Sequence, residues 1–177
     1  MQFHEREVAV MLGEQELQSR IRALGEEIAR DYRGKELTLL AVLKGAVFFA
    51  TDLARAIDLP LTMDFLGVSS YQGGTETTGE VRITSDVTKP MAGKDVLVVE
   101  DIIDTGLTMK FLLENLRARQ PASVKVCTLL EKPSRARTKI DIDYKGFVID
   151  DQFVVGYGLD FADRYRNLPF IGVMKGR

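Results

Sequence analysis

The 177-residue chain is poor in several features that would narrow its chemistry at once. It holds one cysteine, Cys127, and one histidine, His4. A single thiol cannot close an internal disulfide, which fits a reducing compartment, and there is no Cys/His cluster to suggest zinc. Cys127 lies within an apolar segment and reads as a small core residue; His4 is assigned nothing. The net charge is only −2, so no global basic field recruits nucleic acid or an anionic membrane. No apolar run approaches the roughly 20 residues of a membrane span. The opening MQFHEREVAV mixes both charge signs and has no apolar signal core, so the expectation is a cytoplasmic protein without a signal peptide.

What is present describes an ordinary globular chain, 45% hydrophobic and 28% charged, with residues 1–177 read as one domain. Leu17, Ile21, Leu24 and Ile28 recur at helical spacing before Gly34, which predicts a helix over 14–33. Leu37–Leu43 is a short continuous apolar run, as expected of a strand buried on both faces. A helix over Ala46–Ile57 stops before Pro60, and strands follow at Leu61–Val68 and Asp95–Val99. A helix over Leu107–Arg119 ends near Pro121, and further strands read at Val124–Leu130 and Phe153–Tyr157. Strands alternating with helices predict an α/β fold with a mainly parallel twisted sheet flanked by helices. Ser69–Arg82, SSYQGGTETTGEVR, has almost no apolar residue and reads as a flexible loop acting as a lid, carrying Ser70 and Tyr71.

The most informative stretch is VVEDIIDTGLTM, Val98–Met109. Three carboxylates, Glu100, Asp101 and Asp104, are followed at once by Thr105, Gly106 and Thr108, whose amides and hydroxyls suit an anion. In an open parallel sheet, ligands bind beyond the carboxyl ends of the strands, and the following helix N-terminus favours phosphate. Taken alone, the turn reads equally as a helix start capped by Asp104 or Thr105. Two nucleotide readings fail on the residues: the chain contains no G-x-x-x-x-G-K-[ST] loop, and Gly156-Tyr157-Gly158 lacks a third glycine because position 161 is Phe. A sugar phosphate satisfies both halves of the stretch, its diol on the carboxylates and its phosphate on the amides.

VVEDIIDTGLTM resembles the phosphoribosyl-pyrophosphate signature of the type I phosphoribosyltransferases. Leu43-Lys44-Gly45, Ser69-Ser70-Tyr71, LEKPSR at Leu130–Arg135, FVVGYGLD at Phe153–Asp160, and Arg166 follow the order of the hypoxanthine (-guanine) phosphoribosyltransferases. The resemblance runs from about residue 8 to the end; it departs at Ala46, where some members have a second glycine. It implies a small base-binding hood beside the sheet, and transfer of a phosphoribosyl group from phosphoribosyl pyrophosphate to a 6-oxopurine with Mg²⁺. It implies that Glu100 and Asp101 hold the ribose hydroxyls and favour an oxocarbenium-like transition state. Lys44, Gly45 and Arg166 meet pyrophosphate, with a non-proline cis peptide at Leu43–Lys44. Asp160, with Glu100 and Asp101, serves the metal, partly through water. Phe153 stacks on the base, backbone groups of Val154 read its edge, and Lys132 contacts the 6-oxygen, selecting 6-oxo over 6-amino purines. Asp104, facing N7, is the general base. The resemblance also implies a homodimer or homotetramer.

Two other readings share the ribose-phosphate motif. A regulatory RNA-binding protein on the same fold would need a basic concave face, against which the net charge and the base-site segments argue. A phosphate-binding module without catalysis would lack Asp104, Lys44 or Asp160, and all are present.

Overall fold

The structure, a computed structural model, describes residues 8–70 and 81–175. Tyr71 and most of the expected lid lie outside the described residues. In chain order the elements are β1 (Val8–Leu12), α1 (Glu14–Asp31), β2 (Leu37–Leu43), α2 (Val47–Ala56), β3 (Leu61–Ser70), β4 (Val81–Ser85), β5 (Asp95–Ile103), α3 (Leu107–Arg117), β6 (Ser123–Glu131), β7 (Tyr144–Val148), β8 (Val154–Val155) and β9 (Ile171–Met174). A 3₁₀ turn at Pro133–Arg135 follows β6.

The main sheet runs β4-β3-β2-β5-β6-β7. Its first-to-last parallel neighbours are β3, β2, β5, β6 and β7, and β4 joins the β3 edge antiparallel. Alternation along the strands divides the core in two. Leu39, Ala41, Leu97 and Val99 pack with Leu17, Ile21, Leu24 and Ile28 of α1 and Phe49 and Leu53 of α2. Leu40, Val42, Val96 and Val98 pack on the other face with Met109, Leu112, Leu113 and Leu116 of α3. Each such buried leucine, isoleucine, valine, methionine or phenylalanine contributes about 1.5–3 kcal/mol of transfer free energy, which is why β2 and the first half of β5 are almost wholly apolar between these layers; the exception in β2 is Thr38, whose hydroxyl bonds that of Thr62 at 3.0 Å. Cys127 is fully buried in the first cluster, and burial pushes its thiol up, as a core residue requires.

Several expected boundaries need correction. The β5 strand does not stop at Val99 but runs to Ile103, pairing Glu100 with Thr128 and Ile103 with Glu131 of β6. The carboxylates Glu100 and Asp101 therefore sit on the strand itself. Ser69, Ser70, Val81 and Arg82, expected in a loop, are strand residues of the β3–β4 hairpin, with Ser69 opposite Arg82. The segment Phe153–Tyr157 yields only the two-residue β8, which joins a separate antiparallel sheet of order β1-β9-β8. That small sheet packs through Leu12, Val154 and Ile171 onto the α1–α2 core and forms the hood. No described helix is long and apolar enough to cross a membrane.

Candidate active site

Because β2, β5 and β6 are parallel neighbours, the segments that follow them, Lys44–Ala46, Asp104–Gly106 and Lys132–Arg135, leave the same edge of the sheet. Asp101 is buried at 9% exposure and directed at the first of these. A Cβ built on Gly45 would stand 1.6 Å from Asp101 Oδ2, and one built on Gly158 would stand 1.9 Å from the Gly45 carbonyl oxygen. Both positions must be glycine, and at Gly158 the backbone also adopts φ +101°. Three distant segments are thereby stacked: the strand carboxylate, the loop after β2 and the hood. The Leu43–Lys44 peptide is cis.

Burial, then the neighbouring Asp101 charge, push Glu100 well above the ordinary carboxylate range. Burial also raises Asp101, opposed by the Glu100 carboxyl, the Ile102 amide at 2.8 Å and the Arg166 charge. Two adjacent acids, Asp101 buried and Glu100 half-buried, cannot both ionise cheaply, so the pair is primed to accept hydroxyl donors or a cation.

The turn after β5 is built on Gly106, whose φ of 79° places it in the left-handed region, just before α3. A Cβ there would lie 2.8 Å from the Thr138 carbonyl oxygen. The Arg137 and Thr138 amides donate to the Thr105 carbonyl at 3.0 and 3.3 Å and fix the turn from behind. Thr105 Oγ1 accepts from the Leu107 amide at 3.4 Å, so Thr105, not Asp104, approaches the helix start. Glu100, Asp104, Thr105, Gly106 and Thr108 line a cleft of about 90 Å³ here. The dipole at the start of α3 favours an anion at this point.

Asp104 has a different partner: its Oδ1 accepts from Arg135 Nε at 3.2 Å. Arg135 Nη1 lies 3.7 Å from Asp151 Oδ2, and Lys132 Nζ lies 3.7 Å from Asp151 Oδ1. Lys132 is buried at 8% exposure, and its amide donates to the Ile103 carbonyl at 3.0 Å. Asp104 and Lys132 line one cleft of about 420 Å³. Phe153 and Val154 do not line it. Phe153 is 43% exposed and stands edge-on to Phe161, ring centroids 5.8 Å apart. Its carbonyl accepts from the Met174 amide at 3.3 Å. Alternation along an antiparallel ladder therefore turns the Val154 amide and carbonyl to the outer edge of the hood sheet.

The cationic side is equally connected. Lys44 Nζ and Arg166 Nη2 both reach Asp163 Oδ1, at 3.4 and 3.1 Å. Arg166 also pairs with Asp160 at 2.7 Å and donates to the Gly158 carbonyl at 2.7 Å, while the Gly158 amide returns a bond to Arg166. The Asp163 amide donates to Asp160 Oδ2 at 2.8 Å. Arg166 is thus held by the hood loop and is not a loose surface ion pair. Among the described residues, no three His, Cys, Asp or Glu side chains gather into a group that could hold a metal.

A family profile described as the phosphoribosyl transferase domain matches residues 12–162. A hypoxanthine-guanine phosphoribosyltransferase of Mycobacterium tuberculosis is 49% identical over 175 residues, covering 96% of this chain and 87% of that protein. The chain belongs to the hypoxanthine-guanine phosphoribosyltransferases. The crystal structure of a Staphylococcus aureus hypoxanthine phosphoribosyltransferase superposes with a TM-score of 0.94 at 45% identity, covering 99% of this chain and 95% of that one. The Trypanosoma cruzi hypoxanthine phosphoribosyltransferase, solved in complex with its product IMP, gives 0.88 at 39% identity, covering 94% of each chain. The bifunctional TilS/HprT protein of Listeria monocytogenes is 50% identical over 166 residues, and this chain spans 26% of its length.

In this phosphoribosyltransferase, sequence reasoning missed Arg135, Asp151 and Asp163 as partners of the site. Arg135 lies inside the LEKPSR segment and Asp163 inside ADRYR, yet neither stands at a spacing that names its partner.

Proposed function

We propose that this enzyme transfers the 5-phosphoribosyl group of phosphoribosyl pyrophosphate to hypoxanthine and guanine, giving IMP or GMP and pyrophosphate, as a purine salvage enzyme of the cytoplasm. The observation that carries this is the stacking of Asp101, Gly45 and Gly158 beside the Thr105–Gly106 turn, with Asp104 and Lys132 in the adjoining cleft. That arrangement offers a diol acceptor, an anion cradle, two cations and a base-edge reader around one sugar-sized space.

Glu100 and Asp101 accept the ribose hydroxyls, and Thr105, Gly106 and Thr108 take the 5′-phosphate. Lys44, the Gly45 peptide and Arg166 take pyrophosphate once Asp163 is displaced. Phe153 covers the purine, the Val154 backbone meets its edge, and Lys132 donates to the 6-oxygen. The bond from C1′ to the pyrophosphate oxygen breaks with its electrons leaving on pyrophosphate, and the purine N9 lone pair forms the new bond to C1′. The N7 proton then passes to Asp104, leaving a neutral nucleotide base. Positive charge on the ribose is greatest between these events, and the Glu100–Asp101 pair favours it electrostatically. Ser70 and Tyr71 complete the site as a lid in this reading.

Asp160, Glu100 and Asp101 are hard oxygen donors too few and too dispersed to enclose a metal alone. That fits Mg²⁺, whose shell is completed by substrate oxygens and waters. When bound, it supplies charge neutralisation to the pyrophosphate. A homodimer or homotetramer completes the reading, checked by sedimentation.

Lys132→Ala tests the base assignment. A site built around one hydrogen bond to substrate rejects the analogue lacking it by about 10⁴–10⁵-fold. The variant is expected to raise the KM for hypoxanthine and to shrink its preference over adenine. An unchanged hypoxanthine-to-adenine ratio would contradict the role.

A further inference from the structure

Asp104 is the group on which proton removal depends in the reading above, yet its side chain is 40% exposed on a turn. Such a carboxylate has little in its own backbone to fix its torsions. Its one side-chain partner among the described residues is Arg135, which takes Oδ1 at 3.2 Å. None of the described residues donates to Oδ2, which stays available to an incoming N–H.

Arg135 is unusually well placed to hold it. It ends the 3₁₀ turn Pro133–Arg135, whose start is fixed by proline at its first position. The Arg135 amide donates to the Lys132 carbonyl at 3.1 Å, the Lys132 amide to Ile103 at 3.0 Å, and the Arg137 amide to Thr105 at 3.0 Å. The turn is therefore tied to the residues on both sides of Asp104 and to Lys132 itself. Its guanidinium also faces Asp151, whose second oxygen faces Lys132 Nζ, both at 3.7 Å. The result is a ladder of alternating charge from the proton acceptor to the donor that reads the 6-oxygen.

From this geometry we propose that Arg135 is a positioning residue for Asp104, and that Arg135 and Asp151 together set the spacing between the proton acceptor and the 6-oxo donor. The proposal rests on Asp104 being the general base. A 6-oxopurine presents N7–H and the 6-oxygen on one edge, so a fixed acceptor–donor pair is its complement. In the open cleft the half-exposed pairs of Arg135 with Asp104 and Asp151 are weak. When a purine fills the cleft and expels water, the local dielectric falls and the same contacts strengthen. The ladder would then act when the proton is transferred, and contribute little to the stability of the free protein.

The test compares Arg135→Ala, Arg135→Lys, Asp104→Asn and the double variant Asp104→Asn/Arg135→Ala. Each is assayed for kcat, for the KM of phosphoribosyl pyrophosphate and of hypoxanthine, and for thermal midpoint. Arg135→Ala is expected to lower kcat by about 10- to 100-fold, the range of a misplaced but intact catalytic group. The KM of phosphoribosyl pyrophosphate and the thermal midpoint stay unchanged. Arg135→Lys keeps part of the rate, and methylguanidinium added to Arg135→Ala restores part of it. In the Asp104→Asn background the second substitution adds nothing, because the group to be positioned is gone. A role in packing alone would lower the thermal midpoint and would not respond to methylguanidinium; that pattern overturns the proposal. Full turnover in Arg135→Ala beside a crippled Asp104→Asn overturns the Arg135 assignment and leaves the general base standing. Near-full turnover in Asp104→Asn overturns both.

Discussion

Gly45→Ala adds one methyl group at the tightest point of the site. The new Cβ would lie 1.6 Å from Asp101 Oδ2, where ordinary van der Waals contact begins at 3.4 Å, so one partner must move by about 1.8 Å (3.4 minus 1.6). The Gly45 peptide cannot retreat freely, because the Gly158 Cα abuts its carbonyl oxygen. Asp101 belongs to the β5–β6 ladder and its Oδ1 already holds the Ile102 amide at 2.8 Å. The movement therefore falls on the carboxylate, which swings off the position proposed to hold the ribose hydroxyls. Overpacking of this kind costs about 1–3 kcal/mol of stability. At roughly 2–4 °C per kcal/mol for a chain this size, the thermal midpoint is expected to fall by about 2–12 °C. The catalytic loss is larger in proportion, since a displacement of about 1 Å at a reacting centre can cost on the order of 100-fold. Steady-state kinetics with phosphoribosyl pyrophosphate as the varied substrate, beside a thermal melt, read both effects. A Gly45→Ala enzyme that melts normally and keeps kcat/KM within about threefold of the parent would refute the reasoning.

The Glu100–Asp101 pair and the cationic corner give further outcomes. Glu100 is raised in the folded state, so its contribution to stability is present below the ordinary carboxylate range and lost as pH rises through its raised value. Glu100→Gln is therefore expected to melt higher than the parent at neutral pH while losing activity, with the difference in melting closing toward about pH 4; a lower midpoint at neutral pH contradicts this. Asp163→Asn removes the carboxylate that Lys44 and Arg166 share in the free protein. It is expected to lower the KM of phosphoribosyl pyrophosphate a few-fold at low salt, an effect that fades at high salt as exposed charges are screened. A raised KM would mean that Asp163 assists binding.

The alternation of helices and strands was legible because strands buried on both faces must be largely apolar, as Leu37–Leu43 is apart from Thr38. The same rule failed at β5: polar Glu100 and Asp101 looked like a strand end, whereas the ladder to β6 carries them to Ile103. The edge strand β4 has a mixed sequence because one side of it has no neighbour among the described residues, and β8 is too short to carry a period. The VVEDIIDTGLTM stretch revealed its tight turn before α3, since a glycine in the left-handed region is a local requirement that Gly106 meets. Contacts across the chain were not legible. Arg135 reaches Asp104 over 31 residues and Lys44 reaches Asp163 over 119, and one sequence holds no signal for such pairings. Which of Asp104 and Thr105 meets the helix start also needed coordinates, which give that contact to Thr105.

The central claim is that this chain joins a 6-oxopurine to a ribose phosphate, and one measurement addresses it most directly. Purified enzyme is supplied with phosphoribosyl pyrophosphate and Mg²⁺ and with hypoxanthine, guanine, xanthine or adenine in turn, and nucleotide and pyrophosphate are quantified together. The account predicts stoichiometric nucleoside monophosphate and pyrophosphate with hypoxanthine and guanine, and a kcat/KM for adenine lower by several orders of magnitude. Comparable turnover of adenine, or no nucleotide from hypoxanthine, would contradict it.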